Sequence, residues 1–248
     1  MDFSGQHVVI TGASSGIGRA TAARVAAHGG TVTLIARRAA RLADACAAIG
    51  ARATGIAADV GVQAELIGAL DTAVARHGPI DGLFLNAAAE GMFGLTPDYT
   101  DAAFEQAMRV NAFSPFWAVR HVLPAMCARR RGAILITGSL AAERGMVGNI
   151  GYLASKHAAL GIARAIAMEV APHGVRCNCL NPGFIDTPML AGVPEPQRAN
   201  MAARTPQGRI GRPEEAAAVA AFLLSDDASH VTAQSVAVDG GLLGTLLL

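Results

Sequence analysis

Short runs that are apolar almost throughout recur along the chain, at residues 7–11, 31–36, 54–57, 82–86, 133–137, 175–180 and 235–238. Between them lie alanine-rich segments whose apolar positions recur with helical spacing, as at 19–28, 64–77 and 154–171. A strand with one face in water alternates apolar and polar residues, whereas a strand covered on both faces reads as a continuous apolar run. The pattern therefore predicts right-handed strand–helix–strand units and one doubly wound α/β sheet of about seven parallel strands flanked by helices. No linker-like stretch or internal repeat interrupts it, so residues 1–248 are expected to form a single domain. The least regular stretch is 187–212, which carries Pro188, Pro194, Pro196 and Pro206. A long irregular segment in a compact domain is either a functional lid or a disordered insert, and a substrate lid is the expectation here.

Composition narrows the function classes. Hydrophobic residues make up 52% and charged residues 16%, which excludes disorder. The net charge is +1, so no global field recruits nucleic acid or an acidic membrane. The basic run Arg129-Arg130-Arg131 reads as the polar end of a helix. No apolar run approaches the roughly 20 residues that span a bilayer, and the first residues lack the charged and apolar regions of a signal peptide. Cys46, Cys127, Cys177 and Cys179 have neither zinc nor disulfide-framework spacing, and Cys177 and Cys179 share one strand face as buried thiols. These features lead to the expectation of a cytoplasmic protein. His157 and His173 have no metal-ligand spacing, so no metal is expected. The tail 241–248 is rich in leucine and is expected to be buried, against either a second subunit or its own core.

Two groups of residues carry candidate chemistry. The first strand ends in Thr11-Gly12-Ala13-Ser14-Ser15-Gly16-Ile17-Gly18, and a helical pattern follows at once. Glycines there allow a tight turn, and a helix N-terminus offers free N–H groups and the positive end of its dipole to a phosphate. The spacing is Gly-x-x-x-Gly-x-Gly, so a plain tight turn is the other reading. Further along, Tyr152 and Lys156 stand four apart, on one face of a helix. Lys156 is the one lysine among the 20 Lys and Arg residues. Ser139 lies just beyond the strand at 133–137, at the carboxyl edge where doubly wound sheets bind ligands. A free tyrosine has a pKa of about 10, too high for an efficient base at neutral pH, and a nearby ammonium would lower it.

These motifs resemble the short-chain dehydrogenase/reductase family, and the resemblance runs over nearly the whole chain. Thr11-Gly12 with Gly16 and Gly18 matches the family's cofactor signature; Asp59-Val60 follows the third strand, and Asn86-Ala87-Ala88 closes the fourth. Asn181-Pro182-Gly183 with Thr187 matches the stretch that cups the nicotinamide, and Val238-Asp239-Gly240-Gly241 matches the last strand. The resemblance implies a Rossmann-type fold and the catalytic tetrad Asn111, Ser139, Tyr152 and Lys156. Tyr152 would be the general acid in reduction and the general base in oxidation. Lys156 would depress its pKa and hold the nicotinamide ribose, Ser139 would bind the substrate oxygen, and Asn111 would order a water beside Lys156. The cofactor-binding residues implied are Gly12, Ser14, Ser15, Gly16, Ile17, Gly18, Asp59, Val60, Asn86, Ala87, Tyr152, Lys156, Pro182, Gly183, Ile185 and Thr187. The chain departs from the family at Ala88, where glycine is usual; the extra methyl group would weaken cofactor binding or shift the loop.

A member that prefers NAD(H) would end its second strand in an acid. Here Ala36 holds that place and Arg37-Arg38 follow. A guanidinium can pair with a 2′-phosphate, so NADP(H) is expected, with NAD(H) as the other option. Alternatively, Arg37 and Arg38 are a solvated helix start. The pocket is expected between 140–150, Gly183-Phe184 and the lid at 187–212, apolar through Leu140, Met146, Val147, Phe184, Met189 and Leu190; Glu143, Arg144 and Asn149 could supply polar contacts, with Arg144 read first as a solvent-facing loop arginine. The reading is an oxidoreductase interconverting a carbonyl and a secondary alcohol, in a homotetramer or dimer as is the family's habit. Two alternatives stay open: a 3-oxoacyl thioester reductase, and a non-catalytic NADP(H)-sensing regulator, although such regulators typically lose the tyrosine or lysine kept here.

Overall fold

The computed structural model of this chain describes residues 1–245. Residues 246–248, the end of the leucine-rich tail, lie outside the described residues, and with them much of the expectation for that tail. The apolar runs become strands β1 His7–Thr11, β2 Thr31–Ala36, β3 Ala53–Ala57, β4 Gly82–Leu85, β5 Gly132–Thr137, β6 Val175–Pro182 and β7 Ser235–Val238. Helices α1 Gly16–Ala27, α2 Ala39–Ile49, α3 Gln63–His77, α4 Asp101–Met108, α5 Ser114–Arg129, α6 Ile150–Val170, α7 Glu195–Arg204 and α8 Pro213–Leu224 lie between them. The strands are all parallel and form one sheet in the order β3-β2-β1-β4-β5-β6-β7.

The continuous apolar runs follow from burial on both faces. Val9, Leu83, Leu85, Ile134 and Ile136 point to one side, where they pack with α3, α5 and α6. Their neighbours Val8, Ile10, Phe84, Ala133 and Leu135 point to the other, against α1, α2 and α8. Successive side chains of a strand alternate faces, so a sheet roofed twice favours apolar residues on both, and polar ones it keeps, such as His7 and Thr33, are buried and bonded to each other. Helices α1 and α8 pack against each other, and small residues such as Ala22, Ala26, Ala216 and Ala220 allow close approach there.

Two local departures have physical reasons. β4 ends at Leu85, one residue early, because the Asn86 amide bonds the Thr11 hydroxyl (3.0 Å) instead of continuing the ladder. The segment 187–212 is also more regular than its prolines suggest. It holds a short 3₁₀ turn at Pro188–Leu190 and the three-turn helix α7. Nothing on α7 is buried, so it has no core-facing apolar stripe for a periodicity argument to find.

Strand order reverses between β1 and β4, and the glycine turn sits at that reversal. Gly12 and Gly16 have left-handed backbones, φ 66° and 54°. A Cβ on Gly12 would stand 2.8 Å from the Ala87 Cα, so β1 and β4 can approach only with glycine there. Gly18 is different: it does not face the cleft described below, and a Cβ would stand 2.7 Å from both the Asn86 Nδ2 and the Gly12 carbonyl oxygen. Glycine at this position allows close packing of α1 on the turn. Alanine gains about 1 kcal/mol over glycine in a helix interior, but overpacking against fixed backbone costs about 1–3 kcal/mol. Gly18→Ala is therefore expected to lower stability by up to about 2 kcal/mol, read as a lower denaturant midpoint; a midpoint above wild type would contradict the packing role.

Candidate active site

Every loop that leaves a carboxyl end of the central strands opens onto one cleft of about 1320 Å³. Of the residues expected at the site, Gly12, Ser14, Ser15, Gly16, Ile17, Arg37, Arg38, Asp59, Val60, Asn86, Ala87, Ser139, Tyr152, Lys156, Pro182, Gly183, Ile185 and Thr187 line it. Gly18 and Asn111 do not.

One end of the cleft is formed by the glycine turn and the N-terminus of α1. The first turn of α1 contains no acidic residue, and the N-cap Ser15 makes no side-chain cap. The opening amides of a helix have no intrahelical acceptor, so this terminus offers donors and a positive dipole end. The turn is held from beneath by a clasp. Thr11 Oγ1 accepts from the amides of Asn86 (3.0 Å) and Ala87 (3.1 Å), and Asn86 Nδ2 donates to the Thr11 carbonyl (3.2 Å). The Asn86 side chain is thus a strut. Beyond it, Arg37 and Arg38 stand exposed before α2, with no salt bridge to either among the described residues. Asp59 folds into an Asx turn through Oδ1, which accepts from the Gly61 amide (2.9 Å).

The other end holds the reactive groups. Asn149 caps α6, its Oδ1 accepting from the Tyr152 amide (3.1 Å). Tyr152 is therefore in the first turn, and Lys156 follows one turn later. Lys156 is 1% exposed, and its Nζ donates to the Thr137 carbonyl at the end of β5 (2.8 Å). Burial lowers its pKa to about 8, against the nearby Cys179, which raises it. The ammonium form still prevails at neutral pH. For Tyr152, burial pushes the phenol upward, the Ser139 hydroxyl draws it back, and the Glu90 carboxylate pushes it up again. The expected lowering by Lys156 is not realised in this arrangement. The ammonium is turned to the Thr137 carbonyl, 5.6 Å from the centre of the tyrosine ring, and burial dominates. Tyr152 is consequently held protonated, as a proton donor.

Ser139 sits where β5 gives way to a 3₁₀ turn. Its Oγ accepts from the Ala141 amide (3.1 Å), which leaves the hydroxyl proton to donate into the cleft. Its own amide donates to Oδ1 of Asn181 (3.2 Å). Asn181, fully buried, donates through Nδ2 to Ser235 Oγ (2.7 Å) and Glu143 Oε1 (2.9 Å), so β6 and β7 hold the serine turn.

Several polar residues are committed where the sequence left them free. Asn111 lies in a π-helical turn between α4 and α5, buried. Its Nδ2 donates to the Ala89 carbonyl (2.8 Å) and to Ser155 Oγ (2.9 Å), and its Oδ1 accepts from the Ala89 amide (2.8 Å). Its side chain clamps the loop after β4 to α6. Glu143 is taken by Asn181 and Ser235, and Arg144 donates to the Leu243 carbonyl (2.7 Å). Asn149 spends its carboxamide on the cap, on Tyr99 and on the Glu90 carbonyl. Glu143 and Asn149 are thus committed, whereas Arg144, exposed and at the cleft, uses one of its guanidinium nitrogens. Conversely, the wall formed by Glu90, Gly91 and Phe93, and Leu242 across from it, were not anticipated. The carboxyl-edge rule for doubly wound sheets points to the loop after β4 as well as to those after β1 and β5, and is the signal that could have found them.

The residues that face the cleft from both ends are accompanied by similarity to known proteins over the whole chain. A family model described as Enoyl-(Acyl carrier protein) reductase matches residues 12–243. Cyclohexanol dehydrogenase of Acinetobacter sp. (strain SE19) is 36% identical over 241 residues, covering 96% of this chain and 95% of the relative. Cis-4-hydroxycyclohexanecarboxylate dehydrogenase of Sinomonas cyclohexanicum is 36% identical over 241 residues, covering 96% and 97%. The crystal structure of levodione reductase superposes with a TM-score of 0.94 at 36% identity, covering 98% of this chain and all of that one (100%). A 3-ketoacyl-(acyl-carrier-protein) reductase from Brucella melitensis, complexed with NADH, superposes with a TM-score of 0.91 at 30% identity, covering 97% and 99%. With the fold, the glycine turn and these relatives in agreement, the chain belongs to the short-chain dehydrogenase/reductase family.

Proposed function

We propose that this protein is an NADP(H)-dependent oxidoreductase that interconverts a secondary alcohol and a ketone, on a substrate built around a six-membered carbon ring. The observation that carries the reaction class is the protonated phenol of Tyr152 beside the Ser139 hydroxyl and the buried Lys156 ammonium, in a cleft whose far end is an uncapped helix N-terminus. The ring is supported by two relatives named for cyclohexane alcohols and by an apolar wall that includes Phe93, Leu140, Met146, Phe184 and Met189.

The residues fit a nicotinamide dinucleotide. The turn from Gly12 to Ile17 would take the pyrophosphate, with Gly18 allowing α1 to pack there. Asp59, Val60, Asn86 and Ala87 would flank the adenosine, and Pro182, Gly183, Ile185 and Thr187 the nicotinamide. The exposed, unpaired Arg37 and Arg38 support a 2′-phosphate, and no carboxylate stands at Ala36 to repel it. When bound, the nicotinamide supplies the hydride in reduction and takes it in oxidation. As negative charge collects on the substrate oxygen, Tyr152 gives up its proton to that atom. Ser139 donates a hydrogen bond to the same oxygen and stabilises the charge. Lys156 would hold the ribose hydroxyls and, with its ammonium drawn from Thr137 toward them, would favour the phenolate that Tyr152 leaves behind. In oxidation that phenolate is the base. Asn111 acts one step back, through Ala89 and Ser155.

The thioester alternative needs a cationic surface near the cleft for an acidic carrier. Arg129 and Arg131 instead pair with Asp81, before β4, at the amino ends of the strands and away from the cleft. A regulatory reading does not account for a reactive set kept whole. A panel of ketones is the direct test: NADPH oxidation with cyclohexanone and ring-substituted cyclohexanones should exceed that with 3-oxoacyl thioesters, and the opposite ranking would favour the thioester reading.

Tyr152→Phe should reduce turnover by about 10²-fold or more while the NADPH dissociation constant changes little; substantial residual turnover would contradict the proton-transfer role. Because the reductive step uses the ammonium, kcat/KM for reduction should decline as pH rises through about 8, where Lys156 loses its proton; a flat profile across that range would count against its charge. Arg37→Asp should weaken NADPH binding by about ten-fold or more relative to NADH, and an unchanged ratio of the two would sink the cofactor assignment.

A further inference from the structure

Tyr99 is one of two tyrosines in the chain, and the reaction described above makes no use of it. It precedes α4, far from Tyr152 in sequence, yet its hydroxyl reaches the N-terminus of α6. Tyr99 Oη donates to Oδ1 of Asn149 (3.1 Å) and accepts from the Met92 amide (3.1 Å). Asn149, 1% exposed, accepts from the Tyr152 amide at the same oxygen and donates through Nδ2 to the Glu90 carbonyl (2.8 Å). One buried carboxamide and one phenol thus tie two backbone groups of the loop after β4 to the turn that carries Tyr152.

Two glycines clear the space for this contact. Gly151 lies in the first turn of α6, where alanine is the better helix former. A Cβ there would stand 2.6 Å from Tyr99 Oη and 3.0 Å from two of its ring carbons. Gly91, with φ +78°, would bring a Cβ within 2.8 Å of both Tyr99 Oη and Asn149 Oδ1. The loop held in this way is the wall that contains Glu90, Gly91 and the 68%-exposed Phe93. On its cofactor side the same loop is already clamped by Asn111 at Ala89. Asn111 therefore fixes the loop's start and the Tyr99–Asn149 pair fixes its substrate half.

We propose that Tyr99 and Asn149 are positioning residues that set the distance between the Glu90–Phe93 wall and Tyr152, and so the width of the substrate end of the cleft. Neither needs to touch the substrate. The inference rests on the oxidoreductase reading for its kinetic consequence, but its structural content is independent of it.

Two variants separate the latch from the helix cap. Tyr99→Phe keeps the ring and removes only the hydroxyl. Asn149→Ser keeps a capping oxygen for the Tyr152 amide but cannot reach Glu90 and Tyr99. In both, KM for cyclohexanone should rise about ten-fold with kcat within about three-fold, as expected when substrate placement rather than chemistry is loosened. The NADPH dissociation constant should stay within about two-fold, because the phosphate end of the cleft is not involved. Hydrogen exchange supplies a readout that needs no turnover: the Met92 amide should lose protection in Tyr99→Phe while amides of β4 and β5 keep theirs. Unchanged KM in both variants, or a loss confined to kcat and melting temperature, would overturn the specificity role. Unchanged protection at Met92 would overturn the latch itself. If the wild type reduces no ketone while Met92 loses protection in Tyr99→Phe, the latch stands and the oxidoreductase reading is what fails.

Discussion

The clasp between Thr11 and Asn86 is the contact on which the cleft depends. Parallel strands β1 and β4 are neighbours in the sheet but separated in the chain by two strand–helix units. Where their order reverses, the loops that follow them diverge, and the backbone groups at the divergence lose their ladder partners. Thr11 Oγ1 takes two successive amides and Asn86 Nδ2 takes the Thr11 carbonyl, so the gap opens without orphaned donors. Gly12 allows the remaining approach. Everything at the cleft is arranged relative to this point: the anion-binding helix terminus on one side, and the loop that bears the wall on the other.

The second organising constraint is electrostatic. Burying an ammonium is costly, and the chain does it at its one lysine. A single carbonyl, that of Thr137, compensates it directly, and burial draws the pKa down to about 8. The adjacent phenol is moved the opposite way by the same low-polarity surroundings, so that both groups carry protons at neutral pH. An acid, its hydrogen-bonding partner Ser139 and a nearby positive charge are thereby poised before any ligand arrives.

Much of the fold was legible because its signal is local. A strand roofed on both faces is apolar at most positions, and the runs at 7–11 and 31–36 coincide with β1 and β2, as the run at 235–238 does with the partly exposed β7. Gly12 and Gly16 announced left-handed turns by their identity. Helix α7 was not legible, since a helix with no buried face leaves no apolar period. Nor was the direction of the Tyr152 shift, because spacing along a helix says which face a side chain occupies but not where its charged neighbour turns. Nor was the packing at Gly18 legible, since only the 2.7 Å approach of Asn86 and Gly12 shows that α1 needs glycine there.

What the sequence by itself determined was the order of the elements, the parallel sheet, and the residue types at the turn and at Ser139, Tyr152 and Lys156. These follow from periodicity and from spacing within single elements. What only the tertiary structure decided was the allegiance of the polar side chains. Asn111, Glu143 and Asn149 are each taken by a partner distant in sequence, Ala89, Ser235 and Tyr99, and Arg144 gives one of its donors to Leu243. The reason is that a hydrogen bond needs both partners within about 3 Å, and no local pattern records which remote backbone group the packing of the sheet will bring that close.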